Sequence, residues 1–271
     1  MKLSQYMLER KSVRTFKEGQ KIDADKISTF KEFIKDIKNP YDIPVKFEIL
    51  DKDANGLSSP VIAGEEAYVI ATVPKTEHAE EAYGYSFELM MLCAKALGIG
   101  TVMIGGTMKR ETFERAAGLK DGEMMPCVTP IGIPADKRSI KENLMRTGIK
   151  ADSRKDSSKL FFQNEFDKAM GETSDEVRLA LEHVRWAPSA VNKQPWRIVR
   201  QGNIYHFYEK KDKGYINPST GDLQKIDLGI AICHFMTSLK DHGVDSKLVL
   251  NDPAIACPED TDYIASVVVE E

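Results

Sequence analysis

Alternating basic and hydroxyl side chains near the start of the sequence could bind a phosphate group. The segment Arg10–Arg14 reads RKSVR, and residues 10, 12 and 14 would share one face of an extended chain. Arginine offers paired, charge-assisted donors to a phosphate, and Ser12 adds a hydroxyl. A short basic run is more often a solvated surface, so this prediction depends on which other segments join it.

A second segment suits a flat ligand that forms hydrogen bonds. Residues 187–196 read APSAVNKQPW, in which two prolines bracket a hydroxyl and two side-chain amides. The prolines stiffen the segment, so that its polar groups are held ready for a ligand. The alternative is a turn between a helix and a strand in which the amides of Asn192 and Gln194 cap backbone groups, and the composition does not decide between the two.

Two weaker segments contain glycines and cations. Residues 98–106 read GIGTVMIGG, which allows close backbone approach but lacks the GxGxxG order of a dinucleotide-binding turn. Residues 131–138 read IGIPADKR, a strand-like stretch followed by Lys137 and Arg138, which could meet a phosphate. Neither segment identifies a ligand by itself.

The elements that must position these segments occur in two related sets. Helical spacing predicts helices over residues 21–34 and 172–184, about 150 residues apart, and longer buried helices over 83–99 and 228–244. The longer pair matches at four positions when shifted by 145. The matched pairs are Gly84 and Gly229, Met91 and Met236, Lys95 and Lys240, and Gly98 and Gly243. Agreement at glycines is harder to obtain by chance than agreement at apolar positions, so we predict an internal repeat.

Strand patterns accompany the helices in both halves. Predicted strands cover residues 45–50, 67–73, 102–104, 196–199, 204–208, 248–250 and 265–269. The charged, Ser/Asp-rich stretch 150–159 is typical of a linker. The sequence therefore predicts an α+β chain with halves 1–150 and 151–271.

The composition narrows the classes of function. Basic and acidic residues number 38 and 42, a net charge of −4, so we expect neither nucleic acid nor a membrane surface as a partner. No signal peptide or membrane span is evident, which favours a cytoplasmic location. The four cysteines and five histidines show no metal-ligand spacing, so we expect reduced, mostly buried thiols and no metal site. His234, within an apolar helix, is expected to be a core residue rather than a catalyst.

Taken together, the four segments resemble the FMN-dependent nitroreductase family, and the altered order resembles its fused, two-repeat subfamily. PSAVNKQPW is the most specific match, and the resemblance covers essentially the whole chain. The first half lacks a PSxxN loop, since residues 39–45 read NPYDIPV, and the second half lacks RKSVR, since residues 160–166 read LFFQNEF. The resemblance implies a nitroreductase-like fold in which a tandem duplication forms an intrachain pseudo-dimer, with one complete FMN site and one vestigial site.

The resemblance also implies roles for particular residues. The phosphate of FMN would be held by Arg10, Ser12, Lys137 and Arg138. Lys11 and Arg14 would lie near the ribityl and pyrimidine side, with Arg14 the candidate cation that tunes the flavin. Backbone N–H groups of Ile104, Gly105 and Gly106 would approach the isoalloxazine edge, and Pro188, Ser189 and Asn192 would contact the ring from the other half.

The implied activity is electron transfer from NADH or NADPH through FMN to a small nitroaromatic or quinone acceptor. The expected order is ping-pong: the reduced nicotinamide gives hydride to the flavin, leaves, and is replaced by the acceptor. Two alternatives stay open, namely an FMN-binding protein without dedicated reductase activity, and a specialised activity such as reductive dehalogenation. Because the fused halves would supply both sides of the site, a monomer is favoured over a further homodimer.

Overall fold

The computed structural model describes residues 1–270, which form an α+β fold around two long helices. The helices are α1 (Ala24–Lys35), α2 (Lys52–Asn55), α3 (Ala79–Ala96), α4 (Arg110–Ala116), α5 (Ile140–Gly148), α6 (Asp175–Trp186) and α7 (Leu223–Asp241). The strands are β1 (Lys46–Asp51), β2 (Ala67–Pro74), β3 (Glu123–Met124), β4 (Val128–Ile131), β5 (Phe161–Gln163), β6 (Glu165–Ala169), β7 (Trp196–Gln201), β8 (Ile204–Lys210), β9 (Ile216–Asn217), β10 (Gly221–Asp222), β11 (Ser246–Val249) and β12 (Thr261–Val269). Short 3₁₀ turns cover Ser4–Tyr6, Ser157–Lys159 and Ala190–Asn192.

Two larger sheets divide most strands by half of the chain, and β9 and β10 form a separate antiparallel pair. In the first sheet β2 pairs antiparallel with β1, β3 and β4. The second sheet has the order β11-β12-β8-β7-β5-β6. Its neighbours are antiparallel except for β5 and β7, which run parallel. The first sheet packs on α3 and the second packs on α7.

The predicted elements are largely present, with one strand wrong. Helix α1 begins after Asp23, whose carboxylate accepts backbone N–H bonds from Asp25 and Lys26, and α6 begins after Ser174. The strand expected over residues 102–104 does not form, because only Ile104 pairs, in an isolated bridge with Val128. Helices α2, α4 and α5 and strands β3, β5, β6, β9 and β10 were not predicted from the sequence.

Helices α3 and α7 cross in direct backbone contact at a pair of glycines. A methyl group on Gly84 would overlap the backbone carbonyl of Ile226, and a methyl group on Gly229 would overlap that of Glu81. Only glycine permits this approach, because it has no Cβ. The two glycines matched in the sequence at a shift of 145 therefore occupy equivalent places in the crossing.

The two halves share one hydrophobic core. Buried side chains of the first half, such as Tyr83 and Phe87 on α3, belong to the same cluster as Leu228 and Phe235 on α7 and Phe207 on β8. Within residues 1–270, no helix combines the length and apolarity needed to cross a membrane.

Candidate functional site

A cavity of about 270 Å³ lies between the halves, beside the helix crossing. Its walls are mainly apolar: Met91 and Val102 come from the first half, and Leu223, Ile226 and Ile230 line the second-half side on α7. The polar groups around it come from both halves, and they are Arg10, Ser12, Arg14, Ser189 and Asp227. Apolar walls with a few converging polar groups are typical of a small-molecule site.

The N-terminal segment is held extended along this cavity by backbone hydrogen bonds. Val13 donates to Thr101 at 2.9 Å, Ala63 donates to Arg14 at 3.0 Å, and Ala135 donates to Thr15 at 3.0 Å. Because side chains alternate along an extended segment, the side chains of residues 10, 12 and 14 face the cavity together. The sequence pattern predicts this arrangement.

Lys11 does not line the inner cavity with Arg14. It lies with Lys137 and Arg138 in an outer, more open cavity of about 600 Å³, which also contacts Ser12. The expected place of Lys11 on the ribityl and pyrimidine side of a flavin stays a prediction, since Lys11 also lines a narrow cleft of about 90 Å³ with Arg10 and Ser12. Its side chain alternates to the opposite face of the extended segment and joins the cations that could meet a phosphate.

The PSAVN loop reaches the inner cavity through its first residues. Pro188 and Ser189 line the cavity, and Ser189 Oγ accepts the backbone N–H of Gln194 at 2.9 Å. Both carboxylate oxygens of Asp227, on α7, accept the backbone N–H of Ala190 at 3.0 Å. Sequence reasoning missed Asp227; the available signal was a single acidic residue within the apolar run of α7.

Asn192 lies in the same loop but lines a narrow cleft with Arg10 and Ser12 and not the inner cavity. Its amide nitrogen donates to the carbonyls of Lys150 at 2.7 Å and Ser153 at 3.1 Å, and its Oδ1 accepts from Arg154 at 3.3 Å. The ring contact expected for Asn192 stays a prediction, and in this structure its side chain is engaged in hydrogen bonds within the protein. Its amide ties the loop to the segment expected to be a linker, which is ordered against the loop.

The glycine turn contributes two of the three expected residues. Ile104 donates to Val128 and accepts from it, at 2.8 and 2.9 Å, so its N–H group is committed to the sheet and cannot meet a ligand. Gly105 and Gly106 line the inner cavity. The carbonyl of Gly105 accepts from Arg110 at 2.7 Å, which fixes the direction of the turn.

Arg10 forms an ion pair with the buried carboxylate of Glu88, which also contacts the buried His234. Arg10 Nε lies 3.3 Å from Glu88 Oε1 on α3, and the same carboxylate oxygen lies 3.0 Å from His234 Nε2 on α7. Glu88 and His234 are fully buried. His234 is a core residue as expected, but it is also linked through one carboxylate to a candidate phosphate-binding arginine.

Arg14 is a cation that lines the inner cavity. Burial lowers the pKa of its guanidinium, and the nearby carboxylate of Glu142 partly offsets this shift. Arginine keeps its charge in proteins, so Arg14 supplies a partly buried positive charge at an apolar wall.

The buried carboxyl of Asp227 predicts a pH dependence of stability. Burial raises its pKa well above the ordinary value, Asp222 and Glu209 raise it further, and the Ala190 N–H bond opposes the rise. A raised pKa in the folded state means that stability falls as the pH rises from the ordinary range of an aspartate towards the folded-state value. We expect Asp227→Asn to match the wild type near pH 4 and to exceed it at pH 8. Urea unfolding at both values measures this, and an equal difference at the two values would contradict it.

Val191 holds a strained backbone at the mouth of the cavity. Its φ is +50°, in the left-handed region that disfavours β-branched residues, yet its side chain lines the cavity and is 57% exposed. We expect Val191→Gly to raise the free energy of unfolding by about 1 kcal/mol, because it relieves the strain and removes little buried surface. Denaturant unfolding measures this. Ile216→Gly, at an exposed residue outside this cavity, is the control and is expected to lose stability.

Known proteins match the chain in sequence pattern and in fold. The family model described as "Putative TM nitroreductase" matches residues 2–239. The solved structure of a "putative nitroreductase" from Thermotoga maritima is 18% identical and covers 99% of this chain and 94% of that one, with a TM-score of 0.62. A nitroreductase family protein from Clostridium novyi is 19% identical and covers 52% of this chain and 91% of its own, with a TM-score of 0.43. An iodotyrosine deiodinase bound to FMN and 3-iodo-L-tyrosine is 15% identical and covers 51% and 92%, with a TM-score of 0.42. No curated protein matches the sequence.

Proposed function

This chain belongs to the nitroreductase family whose model matches residues 2–239, and on that premise we propose that it is an FMN-dependent oxidoreductase. It takes electrons from NADH or NADPH and passes them to a small acceptor of the nitroaromatic or quinone type. The observation that carries the proposal is one cavity lined both by Arg10, Ser12 and Arg14 and by Pro188 and Ser189.

The residues present fit FMN in both of its parts. The apolar walls formed by Met91, Val102 and Ile226 suit the isoalloxazine ring. Ser12 contacts both the inner and the outer cavity, so a ligand that passes it would reach Lys137 and Arg138 with its phosphate. When bound, FMN supplies the hydride and electron chemistry that side chains lack.

The residues of the chain would then bind FMN and orient it. Arg10 and Ser12 hold the phosphate from the inner side, and the outer cations hold it from the other. Gly105 and Gly106 bring the backbone close to the ring edge, since neither carries a side chain. The positive charge of Arg14 would stabilise negative charge that develops on the ring during reduction.

A tandem duplication would explain why each half supplies a part of the FMN site that the other half lacks. Gly84 and Gly229, matched at a shift of 145, meet opposite helices in equivalent ways. We propose that the two halves form an intrachain pseudo-dimer, with one composite FMN site and a second site that has lost its phosphate-binding cations. Such a chain needs no second copy to complete the site, so a monomer is expected in solution.

The absorption spectrum of the purified protein tests this proposal first. About one FMN per chain, released and identified, would support one composite site, whereas two would contradict the loss of the second. The reconstituted protein should consume NADH or NADPH continuously with a quinone or a nitroaromatic. A yellow protein that does not consume them would be an FMN-binding protein without reductase activity or one with a specialised activity such as reductive dehalogenation, which product analysis separates. Failure to bind added FMN would contradict all three functions.

A further inference from the structure

We propose that Glu88 and His234 form a positioning pair for Arg10, which keeps the charge of its guanidinium available to the phosphate of FMN. The inference rests on the proposed function, because it assumes that this phosphate binds at Arg10. The pair joins the halves: Glu88 lies on α3, and His234 lies on α7. Both side chains are fully buried, and their nearest atoms are 3.0 Å apart.

The hydrogen bonds of His234 fix how many protons the pair holds. Nδ1 lies 2.9 Å from the backbone carbonyl oxygen of His183, which can only accept, so Nδ1 carries a proton. The contact between Nε2 and Glu88 Oε1 holds a second proton, whether it resides on the imidazole or on the carboxyl. In either form, Glu88 and His234 together have no net charge.

Because Glu88 and His234 together are neutral, they leave the positive charge of Arg10 available to a phosphate. A lone Glu88 carboxylate beside Arg10 would cancel the charge of the guanidinium and would hold it as a closed ion pair. With His234 sharing a proton, the group of three keeps a net charge of +1. The carboxylate oxygen still lies 3.3 Å from Arg10 Nε and orients the side chain.

Within residues 1–270, the Arg10 guanidinium has no ion-pair partner besides Glu88 and could bind a phosphate. Among the same residues, no hydrogen bond satisfies its Nε. The side chain contacts both the inner cavity and a narrow cleft of about 90 Å³ shared with Ser12 and Ser189. The residue therefore lines space that a phosphate could enter, and a guanidinium can give such a ligand paired hydrogen bonds.

A purely structural role is the competing explanation, since a buried pair could simply join α3 to α7. The two explanations differ in what they predict for FMN and riboflavin, which lacks the phosphate. A structural defect weakens the binding of both ligands. A defect that acts through Arg10 weakens the binding of FMN but not the binding of riboflavin.

The test measures the dissociation constants of FMN and riboflavin for the full-length protein, by quenching of flavin fluorescence. His234→Gln keeps a donor to Glu88 but brings no shared proton, so we expect FMN affinity to fall roughly ten- to hundredfold with riboflavin affinity unchanged. Adding Glu88→Gln in the same chain removes the uncompensated carboxylate and should restore FMN affinity. Glu88→Gln alone keeps the net charge of +1, because its amide can donate to a neutral His234, so it should preserve the preference for FMN.

Each outcome decides the proposal. His206→Gln is the matched control, since His206 is also buried and makes one side-chain hydrogen bond, to Ser266 at 2.7 Å. Parallel losses of FMN and riboflavin in His234→Gln, or no loss of either, would overturn the proposal. If His234→Gln fails to fold, His234→Asn makes the same comparison: a loss of FMN affinity alone would support the proposal, and parallel losses of FMN and riboflavin, or no loss of either, would overturn it. A wild-type protein that binds neither ligand would refute the proposed function itself, which is a different result.

Discussion

Replacing Arg10 with alanine is expected to weaken FMN binding roughly a hundredfold while riboflavin binding changes little, because the variant removes charge-assisted donors to the phosphate. Arg10 is the largely buried member of the candidate phosphate group, with 8% of its side chain exposed. Hydrogen bonds to a charged group are stronger where water is partly excluded. Titration of the flavin-free protein with each ligand measures the effect.

Arg138→Ala is the control for this prediction. The Arg138 side chain is 43% exposed, and its Nε lies 3.8 Å from Glu142, so solvent and that carboxylate both weaken its pull on a phosphate. We expect a loss of only a few-fold. A loss in Arg138→Ala as large as or larger than that in Arg10→Ala would contradict the prediction that Arg10 contributes most to holding the phosphate.

Gly84→Ala is expected to lower the free energy of unfolding by about 3 kcal/mol or to prevent folding, because the new methyl group would overlap the backbone of α7 at Ile226. Two helix backbones cannot separate locally without disturbing the core on both sides. The shape of the inner cavity should change as well, since Ile226 lines its wall. Urea unfolding gives the stability, and Gly229→Ala should behave similarly.

Gly148→Ala separates the crowding effect from the general effect of adding a methyl group. Gly148 ends α5, and its added Cβ would meet no atom within 4 Å. We expect this variant to be as stable as the wild type or more stable by about 0.5 kcal/mol, since alanine loses less backbone entropy. A Gly84→Ala protein as stable as Gly148→Ala would mean that the helices do not cross at this contact.

The sequence predicted most of the fold because each half has regular periodic patterns. Ile27, Phe30 and Ile34 at helical spacing predicted α1, and a long apolar run that ends at Gly98 predicted α3. The error at residues 102–104 has a physical cause. Val102 donates its N–H to the Thr129 side chain and not to a strand backbone, which apolar spacing cannot show.

The directions of site side chains were predictable where they follow from alternation along an extended segment. They were not predictable where they depend on hydrogen bonds to distant residues. The alternation of an extended segment placed Arg10, Ser12 and Arg14 on one side. The direction of Asn192 depends on carbonyls of the connecting segment, which no local pattern reveals. Glu88 and Asp227 appear in the sequence only as single acidic residues within apolar helices, so their partners become visible only when the helices pack.

The crossing of α3 and α7 also sets the order in which the site can appear during synthesis. Arg10 and Ser12 leave the ribosome early, whereas Leu223, Ile226 and Ile230, which close the cavity, follow more than 200 residues later. Contacts between such distant parts of a chain form late, because they must first overcome the entropy of closing a long loop. Flavin loading on a nascent chain should therefore begin only after α7 has emerged, and until then the apolar face of α3 is a surface that chaperones can recognise.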